Sequence, residues 1–597
     1  MSTAAPDRVE ALAADRLAQR DKQMKQAEEL LFSEPSRAGF AKALYRGEFR
    51  GGALFPYPEL SSAEASIVHA AEDEVRHFAD TEIDAEAIDR DADIPRSVID
   101  GLARLGVLGM TAPEEYGGRG FSQLGYCRIM EIIGGHCAST GVFVNAHHSI
   151  GIRALVLFGT PEQKKRWLPS LTRGEQLAAF ALTEVEAGSD ASNVQTIATP
   201  SPDGQTYILN GLKRWITNGG IADVLTVMAR TPDPKGGESK ITAFLVTPDL
   251  PGFEVVEAHM AKCGIRGTAT GRLAFHDMPV PATNILGQRG KGLKLALTVL
   301  DFGRTTFGAS CTGVAKRCLA ASITHANTRK QFGRTLGEIE LIQKKIAYLA
   351  ATAYAMEATT YETAALIDRG AEDYMLETAI LKVFATEMLW NGVYETMQIY
   401  GGKSYFLDEP YERWMRDARI NTIGEGANEV LKAFIALVGM RDTGEGFRTT
   451  LQGLKNPLKF VPTLWGFGSE HVAKVFRSPV APDVVSSLVG PRDALMARVK
   501  QFGWTIEKQL IRHREALLEM QYIQERIADA AIALYTSSCT LARLDAQLRA
   551  GDVSESDRTA AIHYLNMANR TFDQSLRGLG HNDDDSSKAA ALAALGR

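Results

Sequence analysis

Apolar residues recur at three- and four-residue steps through IVHAAEDEVRHFADTEI, VIDGLARLGVLGM and GIRALVLFG, with PEEYGGRG as a turn between them, so residues 61–175 predict a helical domain. From Gln176 the texture changes to short β-rich runs separated by Gly, Asp and Pro, among them TYILNGLKRWITN, DVLTVMART, ITAFLVTP and GRLAFHDMPVP. Residues 176–290 therefore predict a β domain, a sandwich or barrel. Helical periodicity returns at Gly292 and holds to about Met440, giving a helical bundle over 291–443. Residues 444–480 mix Gly, Pro, basic and aromatic residues without clean period and read as a linker. Residues 481–597 predict a second, separate helical domain closed by the acidic tail HNDDDSSK. The first sixty residues, polar and then Gly/Pro-rich, predict an extension lying over a body that begins near Ser61. The expectation is an α+β multidomain protein.

Composition narrows the function classes. A net charge of −6, from 66 Lys+Arg against 72 Asp+Glu, offers no basic field for a phosphate backbone, so nucleic acid is not an expected partner. The six cysteines include no C-x-x-C pair and no zinc spacing, and they read as buried thiols of a reducing compartment. Gly134 to Ile152 lacks Asp, Glu, Lys and Arg, yet its His, Ser, Thr and Asn residues predict a buried helix rather than a membrane span. The N-terminus shows no apolar signal region, and a bacterial cytoplasmic location is expected.

The common nucleotide and hydrolase motifs are missing: no G-x-x-x-x-G-K-[ST], G-x-S-x-G, H-E-x-x-H or strand-borne G-x-G-x-x-G occurs. Three distinctive segments remain, ALTEVEAGSDAS (Ala181 to Ser192), RWITNGG (Arg214 to Gly220) and INTIGEGANEV (Ile420 to Val430). Each sets hydroxyls, glycines and a carboxylate near the edge of a regular element. Together with R-K-Q-F-G (Arg329 to Gly333), Q-I-Y-G-G (Gln398 to Gly402) and M-R-D-A-R-I (Met415 to Ile420), these segments resemble, in order, the acyl-CoA dehydrogenase family over about residues 61–440. KNPLKF and the helical tail beyond Met440 are similar to its very-long-chain branch. The resemblance implies a helix–β–four-helix-bundle plan, bound FAD, oxidation of long acyl-CoA to trans-2-enoyl-CoA, and electrons passed to an electron-transfer flavoprotein.

Removing a proton α to a thioester needs a fixed carboxylate, with donors aimed at the carbonyl oxygen. Glu425, followed by small Gly426 and Ala427, meets the first need, and the resemblance makes it the base, with its own N–H one of the carbonyl donors. The β hydrogen leaves as hydride and needs an acceptor such as flavin. The resemblance implies that Thr183 and Thr217 set hydroxyls on the flavin ring, Trp215 shields one face, and Phe180 and Leu182 pack or bond around it. It puts Gly188 and Ser189 near cofactor phosphate or CoA, and Ala427 and Glu429 beside the cofactor. Arg329, Gln331, Phe332, Gln343, Gln398, Gly401 and Gly402 match positions that reach a neighbouring subunit's FAD, implying a homodimer. Asp301 and Arg304 match positions that hold the CoA end, the alternative being a solvated ion pair. His147 and His148 have no partner ligands at metal spacing and read as satisfied structural histidines.

Three departures bear on substrate: Val185 replaces the usual Pro, Ala427 removes a hydroxyl, and Gly424 removes the aromatic ring before the base and opens space beside the reacting carbons, unless Tyr400 or Tyr405 refills it. Gly151 and Ala154, on one helix face, either keep an acyl tunnel open or permit close helix packing. Leu451 to Arg477 is basic and aromatic, which suits peripheral contact with an anionic membrane surface. An assembly scaffold and a flavin monooxygenase are the alternative functions on this fold.

Overall fold

The structure is a computed structural model that describes residues 39–233, 236–454 and 478–596. Helices α1 (Phe40–Leu44), α2 (Ser62–Glu82), α3 (Ala85–Asp91), α4 (Arg96–Arg104), α5 (Gln123–His136), α6 (Ala138–Val144), α7 (Arg153–Phe158) and α8 (Pro161–Thr172) build the N-terminal part. Their ends carry sequence-encoded stops, such as the Thr160/Gln163 capping box with Pro161 that starts α8. Between α6 and α7 the chain stays helical but widens to a π-helix over Asn145–Ile152, a deviation that often marks functional positions. Of the most apolar stretch of Ala138–Phe158, 67% is buried inside the protein, which suits a core helix.

The β domain is one hydrogen-bonded sheet formed by β1 (Ala178–Ala181), β2 (Ile197–Pro200), β3 (Thr206–Ile216), β4 (Val224–Thr231), β5 (Lys240–Val246), β6 (Phe253–Glu257), β7 (Gly271–Pro281) and β8 (Ile285–Leu286). Its order is β6-β7-β3-β2-β4-β5-β8, with β1 parallel to β4. One face buries Leu209, Leu225, Phe244 and Phe275 within the domain. The other presents Phe180, Met228 and Leu245 to the helical residues Ile152, Leu155 and Trp167. Register breaks between β3 and β7 at Lys213/Ile216, so Arg214 and Trp215 form an irregularity that re-aims their side chains.

Helices α9 (Gly292–Thr328), α10 (Glu340–Asp368), α11 (Met375–Tyr400), α12 (Tyr411–Arg419) and α13 (Asn428–Leu454) form the next part, followed by α14 (Val489–His513), α15 (Gln521–Ala550), α16 (Glu555–Gly578) and α17 (Asp584–Ala594). The final helices, expected as a further helical domain, pack directly on the bundle: Leu534, Tyr535 and Leu541 of α15 share one core with Ile380, Phe384 and Leu431, and Arg543 pairs with Glu357 at 2.7 Å. One sequence expectation is corrected: the body does not begin at Ser61, because Phe40, Leu44 and Tyr45 are buried in that same core. Tyr45 donates to Ile435 O at 2.8 Å, and Glu377 accepts from Ala41 N at 2.8 Å. Periodicity misses α1, since five residues are too few to show a period. Most of the candidate membrane segment, residues 455–477, lies outside the described residues.

Candidate active site

Glu425 sits in the short connection between α12 and α13 with φ +56°, followed by Gly426 at φ +97°. A left-handed carboxylate residue is costly and marks a site where surrounding structure holds the strain. Its Oε1 accepts from Asn145 Nδ2 at 2.8 Å, whereas Oε2 is buried with no protein partner. Asn145 comes from the π-helix, and its Oδ1 accepts from Thr306 Oγ1 of α9 at 2.5 Å. That second bond fixes which way the amide points. Gly303 of α9 lies against the carboxylate; a Cβ there would stand 3.0 Å from Oε2.

Burial raises the Glu425 carboxyl above its ordinary value, opposed by the nearby charges of Arg304 and Lys382 and by the Asn145 bond. Asp301 and Arg304 are both buried and paired at 2.8 Å, with Thr378 Oγ1 donating to Asp301 at 2.8 Å. The solvated-pair alternative is thereby excluded, and the charge of Arg304 acts on both Glu425 and Lys382. Lys382, fully buried on α11, donates to Gly426 O at 2.7 Å and to Asn428 Oδ1 at 2.9 Å. Burial pushes its ammonium down to about 8. It ties the loop of the base to the bundle.

A second group gathers where β1 and β3 end. Arg214 N donates to Thr183 O at 3.0 Å, which sets ALTE beside RWITN. Trp215 has φ +58° and stands 50% exposed under the Arg214 guanidinium, 4.8 Å from its ring centroid. The hydroxyls of the part-buried Thr183 and Thr217 have no intramolecular partner among the described residues. Beneath them, buried Lys213 donates to Leu182 O at 2.9 Å and pairs with Glu184 at 2.7 Å. Asn218, at φ +62°, donates to Phe143 O at 3.1 Å and so anchors this loop to the helix that continues into Asn145. An unfilled aromatic face, two free hydroxyls and a carboxylate with an open oxygen make a site for a planar redox group and a polarised carbon acid.

Comparison with known proteins agrees with this geometry. The acyl-CoA dehydrogenase N-terminal, middle and C-terminal domain families match residues 68–175, 179–278 and 290–439, and the ACAD9/ACADV C-terminal domain matches 486–594. The human mitochondrial very long-chain specific acyl-CoA dehydrogenase is 35% identical over 532 residues, covering 87% of this chain and 81% of the relative. The chain belongs to the acyl-CoA dehydrogenase family. A probable acyl-CoA dehydrogenase of Mycobacterium tuberculosis, FadE10, is also 35% identical, over 88% of this chain and 83% of its own length. A Bacillus anthracis acyl-CoA dehydrogenase solved with FAD superposes with a TM-score of 0.74 at 28% identity, covering 93% of this chain and 95% of that one.

As an acyl-CoA dehydrogenase the chain uses FAD, and the unpartnered Thr183 and Thr217 hydroxyls and exposed Trp215 fit that group. Gly188 and Ser189 lie in an exposed loop where a Cβ on Gly188 would meet nothing within 4 Å, leaving room for a ligand. Phe180 is buried and Leu182 part-buried in the same strand end; Ala427 is part-buried and Glu429 exposed at the start of α13. Arg329, Gln331, Phe332, Gln343, Gln398, Gly401 and Gly402 form a third group at one end of the bundle. The Tyr400 ring stacks 4.1 Å from His325, joining the ends of α11 and α9, and Phe332 at a ribbon tip is 92% exposed. None of these seven makes a hydrogen bond or ion pair to the first two groups among the described residues.

Gly151 is closely packed: a Cβ would stand 2.7 Å from Ala178 Cβ and 2.9 Å from Ala146 O. It permits the π-helix to pack on β1, so Gly151→Phe is expected to overpack this joint by about 1–3 kcal/mol or more. Thermal unfolding should show a lower midpoint rather than a shortened acyl preference with a normal midpoint. Gly424 does leave space, with only Ile420 O within 4 Å of a Cβ. Tyr400, stacked on His325 and donating to Ala321 O at 2.9 Å, and Tyr405, 76% exposed, are engaged elsewhere. His147 accepts from Ala178 N at 3.0 Å and lies 3.2 Å from Leu171 O, while His148 meets Thr111 N and Leu108 O at 3.1 Å each. Burial pushes His147 down to about 4, and both are structural. Of the cysteines, Cys263 is exposed and the other five are buried.

Proposed function

We propose that the chain oxidises long or very-long-chain acyl-CoA to trans-2-enoyl-CoA, with Glu425 as the α-proton acceptor and an electron-transfer flavoprotein as the electron partner. The observation that carries the reading is the Glu425 carboxylate: one oxygen is held by the Thr306-locked Asn145 amide, and the other is buried and free to accept a proton. Arg304 and Lys382 favour the ionised form of this buried carboxylate, and the Glu425 N–H is read as one donor to the thioester carbonyl. The flavin of bound FAD supplies the acceptor for the β-hydride, which no side chain can take. Thr183 and Thr217, whose hydroxyls have no protein partner among the described residues, would hold that ring, and the half-exposed Trp215 would shield it from water.

The preference for a long acyl chain is supported by similarity to the very long-chain specific relatives. Beside the base, Asn145, Phe307 and Leu389 line a cleft. The exposed Phe332, Leu341, Phe406 and Leu407 around the third group suit a second copy of this chain, because isolated large apolar groups gathered at one end mark an interface. The cytoplasmic location and the membrane contact of residues 451–477 are further parts of this reading, resting on sequence.

Anaerobic titration of the FAD-loaded protein with saturated acyl-CoAs of graded length tests it. Loss of visible flavin absorbance should be strongest for long chains. A flavin that stays oxidised with every length, or one that reacts only with short chains, contradicts the reading; the former outcome is that of a scaffold.

A further inference from the structure

Among the described residues the carboxylate of Glu425 has a single direct donor. Arg304 of α9 and Lys382 of α11 act on it through their charge, yet neither bonds it: Arg304 pairs with Asp301 at 2.8 Å, and Lys382 donates to Gly426 O and Asn428 Oδ1. Cys311 of α9, the other titratable neighbour, is pushed up by burial to about 12 and stays neutral. Only Asn145 Nδ2 reaches the carboxylate, at 2.8 Å. Behind Asn145 the hydrogen bonds continue away from the site. Asn145 and Ser149 stand four residues apart on the π-helix, and Thr306 Oγ1 of α9 lies 2.5 Å from Asn145 Oδ1 and 3.0 Å from Ser149 Oγ. Ser149 Oγ is in turn 3.2 Å from the Tyr126 hydroxyl of α5. All four side chains are buried.

The donors available set the direction of this line. An amide oxygen only accepts, so the one hydroxyl proton of Thr306 goes to Asn145 Oδ1, in preference to the longer contact with Gly303 O at 3.0 Å. Ser149 then donates to Thr306, and Tyr126 to Ser149. Every bond points its proton toward the base. Successive donors polarise one another, and a donor to a carboxylate in a dry interior favours the ionised form. We propose that the line Tyr126–Ser149–Thr306–Asn145 keeps Glu425 ionised and ready to accept the α-proton, which makes Asn145 and Thr306 positioning residues for the base. The inference rests on the acyl-CoA reading above. Burial works against the ionised carboxylate; the line offsets part of that cost through Oε1 and leaves the buried Oε2 open for the proton.

FAD-loaded parent and variants are reduced anaerobically by a saturating long acyl-CoA from acid to mildly alkaline pH, and the midpoint of the rate profile is read. Without substrate, the infrared carboxyl band that Glu425→Gln removes reports the same protonation directly. Asn145→Leu, of similar shape but without a donor, should move both midpoints up by about one pH unit or more, the worth of a bond to a charged group. Its rate should climb back toward the parent's above that pH. Thr306→Val, which frees the amide to turn, should shift them the same way by less, Ser149→Ala by less again, and Thr306→Ser should restore the parent midpoint. A merely structural role would lower the rate or the thermal midpoint without displacing the profile. The inference is overturned if Asn145→Leu keeps the parent midpoints, or if Thr306→Ser shifts them as far as Thr306→Val. If Asn145→Leu fails to fold, Thr306→Val against Thr306→Ser decides. If no acyl-CoA reduces the parent flavin while the infrared midpoint shifts as expected, the acyl-CoA reading falls and the line stands.

Discussion

Glu425→Gln should leave FAD bound and slow flavin reduction by long acyl-CoA about 10²–10⁴-fold, the usual contribution of a general base. The amide keeps the shape of the carboxylate and its oxygen can still accept from Asn145 Nδ2, but its NH2, standing where the buried free oxygen was, cannot take the α-proton. Stability separates this from damage to the fold. Burial raises the folded-state value of Glu425 above that of the unfolded chain, so the folded state binds more protons across that window and loses stability as pH rises through it. Above that window the ionised group carries the whole penalty. The Gln variant, lacking it, should unfold at the same temperature as the parent or higher. In the parent, the rate should decline on acidification at a higher pH than an exposed carboxylate would give, because the base works only when ionised. Stopped-flow reduction of the variant at the parent rate would remove Glu425 from this role.

Three of the motifs that carry the resemblance coincide with strained backbone. Trp215, Asn218, Phe332 and Glu425 all have left-handed φ, and each lies inside a quoted segment. Such positions were legible because strain needs flanking small or polar residues, and W-I-T-N-G, R-K-Q-F-G and E-G-A-N-E supply them. Helix and strand order were legible from period. Asn145 and Lys382 were not, since each acts through contacts 280 and 44 residues away in sequence, and nothing local distinguishes an Asn or a Lys bound for burial from one bound for solvent. Gly151 misled for a related reason. A small residue on a helix face says that something comes close, whereas only the packing shows that it is the backbone of β1 and not a ligand. The fusion of the last helices with the bundle was hidden likewise, because Arg543–Glu357 and the Tyr535 core join segments far apart in sequence.

The same kind of hidden contact makes Lys213 the position with the largest expected structural effect. Glu184, the carboxylate of the T-E pair, is 4% exposed; it accepts from Thr196 Oγ1 at 2.6 Å, Thr196 N at 3.1 Å and Gln195 N at 2.5 Å, and pairs with Lys213 at 2.7 Å. Burial alone would raise its carboxyl, but Lys213 and these donors outweigh burial and hold it below the ordinary range. Burial pushes Lys213 down to about 8, which leaves it mostly charged at neutral pH. Lys213→Met strands a buried carboxylate, and breaking such a pair costs about 3–5 kcal/mol. It also removes the donor on Leu182 O, one residue before the Thr183 hydroxyl. The variant should therefore purify with less FAD and a lower thermal midpoint. Because Glu184 titrates low in the folded state, its stabilising effect is present above the ordinary carboxylate range and fades as pH falls through the lowered value. The gap between variant and parent should narrow there, since a protonated Glu184 needs no counter-ion. Lys213→Met with Glu184→Gln should recover part of the midpoint, because replacing both partners leaves no buried charge. If Lys213→Met alone keeps full flavin content and the parent midpoint, the pair does not support the cofactor platform.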